Sequence, residues 1–374
     1  MADVDPRDAE FMALALEESR RALPSPNPPV GAVVVGRDGN VVAQAHHERA
    51  GELHAEVLAL SKAGENAKGG ALYVTLEPCN HTGKTPPCVD AILAAGIKRV
   101  IVGCRDPNPH VEGGGIERLL DANVGVTLGV GEPEARAVIR PWLTFITEGV
   151  PHVSLKLALS LDGRIATRTG ASKWVTGVEA RAKVQELRAQ RDAVAVGIGT
   201  ALADDPLLTV RDLAYVGRRP RRVVFDSQLR LSLGSRLVTT SPEIPTIVLT
   251  TSGASADAEA ALLDAGCEVF RVPPSGEGRV DIDAALRLLA SMGVVSLLVE
   301  GGAELAGSFL ATRFAHEMHA FVAPILLGPR GRPGAVDWAG PDRPSEAPRI
   351  EEPTWECCGS DAYVAGKLLF PDKG

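Results

Sequence analysis

Apolar residues at helical spacing alternate along this chain with shorter apolar runs of strand length. Residues 11–22 carry the helical spacing, which stops at Pro24-Ser25-Pro26-Asn27-Pro28-Pro29, a stretch that predicts a rigid loop. Residues 30–35 and 41–45 predict a hairpin about Asp38-Gly39-Asn40. Beyond it the pattern gives a helix over 55–63, a strand over 71–75, a helix over 89–95 and a strand over 100–103. Helical spacing continues over 115–122 and 133–146. Strand and helix take turns, so this half is predicted as an α/β layered domain whose sheet has a parallel portion.

The pattern restarts around Glu148-Gly149-Val150-Pro151, which places a domain boundary there and predicts units of residues 1–149 and 150–374. Strands are predicted at 153–159, 193–196, 222–226, 246–250, 268–272, 296–299 and 319–322, and helices at 178–190, 257–265, 283–292 and 304–312. This reads as a second α/β domain. Glycine and proline gather at 328–334 in a loop, and the halves show no internal repeat.

Bulk properties narrow the class. A chain of 374 residues is too long for one ordinary core. With 45% hydrophobic and 23% charged residues it is expected to be a globular protein of the cytoplasm. The formal net charge of −8 argues against a nucleic-acid partner, which usually requires a basic excess. A small anionic ligand remains compatible, because a few local arginines suffice. The acidic first ten residues hold no apolar core of a signal peptide, and no apolar run has the length of a membrane span. The six cysteines form no spaced framework, which fits reduced chemistry.

The chemistry gathers at His54-Ala55-Glu56, Pro78-Cys79 and Cys88. One imidazole and two thiolates fill three tetrahedral positions of Zn²⁺ and leave the fourth for water. The carboxylate of Glu56 is then placed for acid/base work, not ligation, as in hydrolytic zinc deaminases. Positions i and i+2 do not share a face of a regular helix. His54 and Glu56 therefore serve one metal only if it lies over the N-terminal turn, where free N–H groups also lower thiol pKa values. A closed structural zinc site is the alternative; it needs a fourth protein ligand, for which His81 is nearest.

Further residues make the motif specific. Pro26-Asn27-Pro28, the run from His47 to Glu56, Thr75-Leu76-Glu77-Pro78-Cys79-Asn80-His81-Thr82-Gly83-Lys84-Thr85-Pro86-Pro87-Cys88 and Asp106-Pro107-Asn108-Pro109 resemble the bifunctional riboflavin-biosynthesis deaminase–reductases. The resemblance continues through Ser160-Leu161-Asp162-Gly163-Arg164, the stretch from Leu202 to Arg211, Asp226-Ser227 and Val299-Glu300-Gly301-Gly302-Ala303-Glu304-Leu305, and so covers nearly the whole chain in order. It implies a cytidine-deaminase-like three-layer α/β/α domain, then an α/β domain similar to dihydrofolate reductase in fold. It also implies zinc, NADPH, a phosphorylated pyrimidine substrate and a homodimer or higher homo-oligomer. Asn27, His47, His81, Lys84, Asp106 and Asn108 would line the deaminase pocket. Leu53 stands where members of the family often carry proline, a change expected to touch only backbone shape.

In the second half no G-x-G-x-x-G follows a strand; Gly197-Ile198-Gly199-Thr200 lacks the third glycine. Glu300-Gly301-Gly302-Ala303-Glu304, between a strand and a helix, is the better phosphate cradle. The resemblance assigns NADPH contacts to Leu159, Trp174, Thr200, Asp204 and Ser227, and to the run Gly302, Ala303, Glu304, Leu305, Ala306, Gly307 and Ser308. It assigns substrate contacts to Ser172, Arg188, Leu208, Arg211 and Glu300, and Lys156 is expected to face substrate as well. Arg188 and Arg211 suit a ribose-linked phosphate, since guanidinium forks bind phosphate bidentately. The zinc motif alone also fits a nucleobase or tRNA deaminase with an unrelated C-terminal domain, or a non-catalytic zinc scaffold. The first predicts a basic surface and Cys-x₂-Cys, the second loss of Glu56. This sequence has none of these.

Overall fold

Helix α1 (Pro6–Ser19) and strands β1 (Gly31–Val35) and β2 (Val41–His46) open the first of two units, Met1–Gly149 and Val150–Gly374. The computed structural model describes residues 6–83, 85–109, 113–211, 219–328 and 334–371. After the hairpin come α2 (Ala55–Ala63), β3 (Ala71–Leu76), α3 (Cys88–Ala94), β4 (Arg99–Cys104), α4 (Gly115–Asp121), β5 (Gly125–Leu128) and α5 (Glu132–Glu148). The sheet runs β2-β1-β3-β4-β5, antiparallel through β1 and parallel from β3 to β5. Side chains alternate across it. Tyr73 meets Phe11 and Asp8 of α1, while Leu72 and Val74 are buried on the opposite face. Helix α1 touches α5, and α2 touches α3, giving helix layers on both sides.

In this unit two elements differ most from the sequence expectation. Helix α1 begins five residues earlier and ends at Ser19, because its polar first turn carries no apolar spacing. Its Asp8 is nonetheless buried, accepting from the Tyr73 hydroxyl at 2.7 Å and from Arg99 at 3.0 Å. Strand β5 was not expected; it is a short edge strand with no fully buried residue.

The second unit contains β6 (His152–Ser160), α6 (Val178–Ala189), β7 (Ala193–Gly197), α7 (Ile198–Asp204), β8 (Arg221–Phe225), α8 (Arg236–Thr239), β9 (Thr246–Thr250) and α9 (Ala256–Asp264). It continues with β10 (Glu268–Arg271), α10 (Ile282–Ser291), β11 (Ser296–Glu300), α11 (Ala303–Ala311), β12 (Glu317–Ala323), β13 (Arg349–Cys358) and β14 (Asp361–Leu369). The sheet order is β10-β9-β8-β7-β11-β6-β12-β14-β13. Every pair from β10 to β12 is parallel, whereas β14 and β13 close one side antiparallel. The parallel strands share one C-terminal edge, the usual ligand edge of such sheets. One core, with Leu297, Val299, Leu286 and Phe309, covers one face; another, with Leu298, Val194, Leu237 and Phe321, covers the other. The hairpin β13–β14 escaped the sequence pattern because β13 is exposed on both faces except at its ends. Among the described residues no helix is long and apolar enough to cross a membrane.

Candidate active sites

The first site forms where β3 ends. The chain turns through Glu77-Pro78 to Cys79, Cys88 starts α3, and His54 is the residue before α2. His54 Nδ1 lies 3.1 Å from Cys88 Sγ and 3.6 Å from Cys79 Sγ, and the three ligand atoms all lie within 4.8 Å of one another. Tetrahedral zinc with ordinary N and S bond lengths sets its ligand atoms about 3.5–3.8 Å apart, so the donor set fits the metal. Among the described residues no fourth His, Cys, Asp or Glu completes the group, and the cluster is that of an open site. The Cys79 thiol is pulled down to about 4, chiefly by its hydrogen bond with Cys88, and the Cys88 thiol is correspondingly pushed up.

Glu56, in the first turn of α2, is only 4% exposed yet lines the adjoining cavity of about 360 Å³. Burial pushes its carboxyl above the ordinary value, and the negative charge on Cys79 adds to this. A carboxyl so displaced holds a proton more readily than a solvated one, as an acid/base group must. Asn27, His47, His81, Asp106 and Asn108 line the same cavity; Lys84 falls outside the described residues. His47 is fixed at both nitrogens. Nδ1 donates to the Leu53 carbonyl at 3.0 Å, so Nε2 accepts from the Asn27 amide at 2.9 Å. Burial holds the His47 imidazole below its usual pKa, which keeps it neutral. Leu53 therefore acts here through its backbone. Burial also raises the pKa of Asp106, whose carboxylate accepts from the Asn108 backbone N–H at 2.9 Å.

Several residues that build this site gave little sign in the sequence. Trp142 of α5 lines the cavity from a different helix. The buried Glu77 carboxylate accepts from the backbone of Asp106 and of Ile116, each at 3.3 Å, tying the loops after β3 and β4 to the first turn of α4. A methyl group at Gly115 would lie 2.0 Å from the Pro78 carbonyl oxygen, so only glycine fits beside the Cys79 turn. The run Gly113-Gly114-Gly115 was the one visible signal. Gly115→Ala is expected to cost about 1–3 kcal/mol and to lower the zinc content of the purified protein. Thermal unfolding with metal analysis checks this, and an unchanged zinc content would show that the turn yields freely.

The second site is a cavity of about 1430 Å³ along the C-terminal strand edge of the second unit. Lys156, Ser172, Trp174, Arg188, Thr200, Asp204, Leu208, Arg211, Ser227 and Glu300 all line it, as do Gly302, Ala303, Glu304, Leu305 and Ser308. Leu159, Ala306 and Gly307 do not. Leu159 packs against the core, Ala306 is buried within it, and Gly307 faces the Asp337 carbonyl. Gly301 and Gly302 both take positive φ, 74° and 82°, and a Cβ on Gly302 would meet Thr200 Oγ1 at 3.0 Å. The chain therefore passes close under α7 and presents the N-terminal turn of α11 to the cavity, a cradle suited to the pyrophosphate of a dinucleotide.

A further expectation changes. The Arg188 fork is not free for phosphate. Nε and Nη2 donate to the two oxygens of Glu300, the latter at 2.8 Å, and Nη1 donates to the Thr209 carbonyl at 2.9 Å. Both partners are buried, so the pair shapes the wall of the cavity. Lys156 stands beside Glu300 on the neighbouring strand in direct register. Burial lowers its ammonium pKa, and Glu300 offsets this only in part. Asp204 accepts from the Ser172 hydroxyl at 2.6 Å, and the exposed Trp174 ring carries the Arg181 guanidinium 4.6 Å from its centroid.

Comparison with known proteins agrees with both halves. Residues 5–104 match the cytidine and deoxycytidylate deaminase zinc-binding region, and residues 151–364 match the RibD C-terminal domain. The riboflavin biosynthesis protein RibD of Aquifex aeolicus is 42% identical over 317 residues, 85% of this chain and 86% of its own. That of Bacillus amyloliquefaciens is 40% identical over 343 residues, 91% of each chain. The solved structure of Acinetobacter baumannii RibD superposes with a TM-score of 0.84 at 36% identity, covering 98% of this chain and 99% of that one. A Thermotoga maritima diaminohydroxyphosphoribosylaminopyrimidine deaminase/5-amino-6-(5-phosphoribosylamino)uracil reductase gives 0.83 at 35% identity, covering 97% and 99%. With a zinc deaminase domain followed by an NADPH-dependent reductase domain, the chain belongs to the RibD family of riboflavin-biosynthesis enzymes.

Proposed function

We propose that residues 1–149 hydrolyse the 2-amino group of 2,5-diamino-6-ribosylamino-4(3H)-pyrimidinone 5′-phosphate, and that residues 150–374 then reduce the ribosyl unit of the product to ribityl. The observation that carries the reading is a buried Glu56 carboxyl beside an open His54-Cys79-Cys88 cluster, at the end of a small cavity. Zinc held by these three residues supplies a Lewis acid that brings the pKa of water to about 7. Glu56 takes the water proton as the oxygen adds to C2 of the pyrimidine. It returns that proton to the amine as the C–N bond breaks and ammonia leaves. Asn27, His47, His81, Lys84, Asp106 and Asn108 hold the pyrimidine nucleotide. His47, paired through Nδ1–H with the Leu53 carbonyl and through Nε2 with the Asn27 amide, contributes the face of its ring and fixes the orientation of Asn27.

In the reductase domain NADPH supplies the hydride, and the protein supplies alignment. Gly302, Ala303, Glu304, Leu305, Ser308 and Thr200 flank the cofactor phosphates; Ser172, Leu208, Arg211 and Glu300 face the sugar phosphate, with Arg188 positioning Glu300. Hydride adds to the ribosyl C1′, and the released ring oxygen takes a proton. Lys156 and Asp204 are the side chains offered for that proton. Lys156 gives one up more readily than a solvated lysine, because burial lowers its pKa. The enzyme works on a small molecule in the cytoplasm, without nucleic acid, as a homodimer or higher homo-oligomer. The exposed outer strand β13, with Trp355 on it, suits pairing of two copies.

Removal of the metal separates the two activities. Chelator-treated enzyme is expected to lose ammonia release, to recover it on adding zinc, and to keep reducing nucleotide that has already been deaminated. Ammonia release that survives complete zinc removal would sink the assignment of the first site.

A further inference from the structure

NADPH differs from NADH only in the phosphate on the 2′ oxygen of its adenosine ribose, a few bonds from the pyrophosphate. A site that prefers NADPH therefore needs a cation close to the pyrophosphate cradle. We infer that Arg279 is that cation and sets the preference for NADPH; the inference rests on the reading of the second cavity as the cofactor site.

Arg279 sits on a small hairpin between β10 and α10. The hairpin is closed by a bridge between Pro274 and Val280 and by donation from Ser275 N to the Arg279 carbonyl at 2.7 Å and from Asp281 N to the Pro273 carbonyl at 3.1 Å. The Val280 amide donates to Ser227 Oγ at 3.0 Å, which ties the hairpin to the C-terminal end of β8. Arg279 Nη1 lies 3.6 Å from the Glu304 carboxylate in the first turn of α11, and Nε lies 3.7 Å from Glu277. The guanidinium is thus held between the β8 edge and the phosphate cradle, and it lines the cavity. Its two carboxylate neighbours balance its charge without coming within ordinary hydrogen-bond distance. With its side chain 51% exposed, its donors can turn to a phosphate and bind two oxygens at once.

Several other cations around the cavity are committed: Lys173 Nζ donates to the Asp204 carbonyl at 2.7 Å, and Lys156 and Arg211 are assigned to the sugar end of the substrate. Arg188 is clamped on Glu300, and Arg181 covers Trp174 while donating to the Thr176 carbonyl at 2.6 Å. Arg236 contacts Asp205 through its backbone amide and Nη1. Arg230 follows the buried Leu229 on the loop beyond β8, and it is the rival for the role.

Calorimetric titration with adenosine 2′,5′-bisphosphate and with 5′-AMP tests the idea, beside reductase kinetics with NADPH and NADH. In Arg279→Ala the bisphosphate is expected to bind roughly 10- to 100-fold more weakly, with 5′-AMP unchanged within about twofold. KM for NADPH should rise by the same factor at constant kcat, while KM for NADH stays put, and Arg279→Lys should retain part of the preference. An equal loss for both probes, no loss, or a loss of preference in Arg230→Ala instead would overturn the assignment. Wild-type enzyme that binds neither probe and oxidises no NADPH would instead sink the reading of the cavity itself.

Discussion

Glu56→Gln is expected to slow ammonia release by about 10²- to 10⁴-fold, the range for loss of a positioned acid/base group. The replacement keeps the shape of the side chain and removes its capacity to carry a proton. Zinc should stay, because His54, Cys79 and Cys88 are untouched and form the cluster without Glu56. The reductase should run at its ordinary rate on deaminated nucleotide, since Glu56 belongs to the other unit. Metal analysis and two separate assays on one preparation read all three results. A variant that loses zinc together with activity would show that Glu56 supports the metal, and one that deaminates normally would remove it from the chemistry.

Arg188→Ala is expected to carry the largest stability cost, about 3–5 kcal/mol, because it strands a buried carboxylate. Burial alone would push Glu300 up; the charge and hydrogen bonds of Arg188, with help from Lys156, overcome this and hold it below its ordinary value. A depressed carboxyl stabilises the fold above its unfolded pKa, and that contribution is lost as pH falls through the lower folded value. Without Arg188 the sign reverses. Burial then dominates, and the variant should gain stability relative to wild type as acid protonates Glu300. Denaturant unfolding across the carboxylate pH range checks both statements. A cost under about 1 kcal/mol, or a pH slope equal to that of wild type, would show that the pair is solvated in solution.

How far each site could be read beforehand depended on whether its residues are close in sequence. His54, Glu56, Cys79 and Cys88 lie on short motifs at strand and helix ends, and zinc chemistry restricts what such a set can be. The long gap between Cys79 and Cys88 helped, because it excluded the Cys-x₂-Cys pattern of nucleic-acid deaminases. The roles of Gly115, Glu77 and Trp142 were hard to read for the opposite reason. Each matters through contact with a distant segment, and only the run of three glycines hinted at one wedged under Pro78. Arg188 shows a different failure. Residue type suggested a phosphate, but the fold brings Glu300 alongside from a strand 112 residues away. Helix and strand periods located most elements with a buried face. They could not locate β5, a short edge strand, or β13, which is exposed on both faces.

One chain is expected to perform two reactions in a fixed order. Purified enzyme given the diamino pyrimidinone nucleotide, with and without NADPH, tests this through simultaneous records of ammonia and NADPH absorbance. Ammonia should appear at the same rate in both mixtures, and NADPH should be consumed after a lag, one molecule for each ammonia released. NADPH consumption that begins at once, before any ammonia, or ammonia release that requires NADPH, would contradict the account.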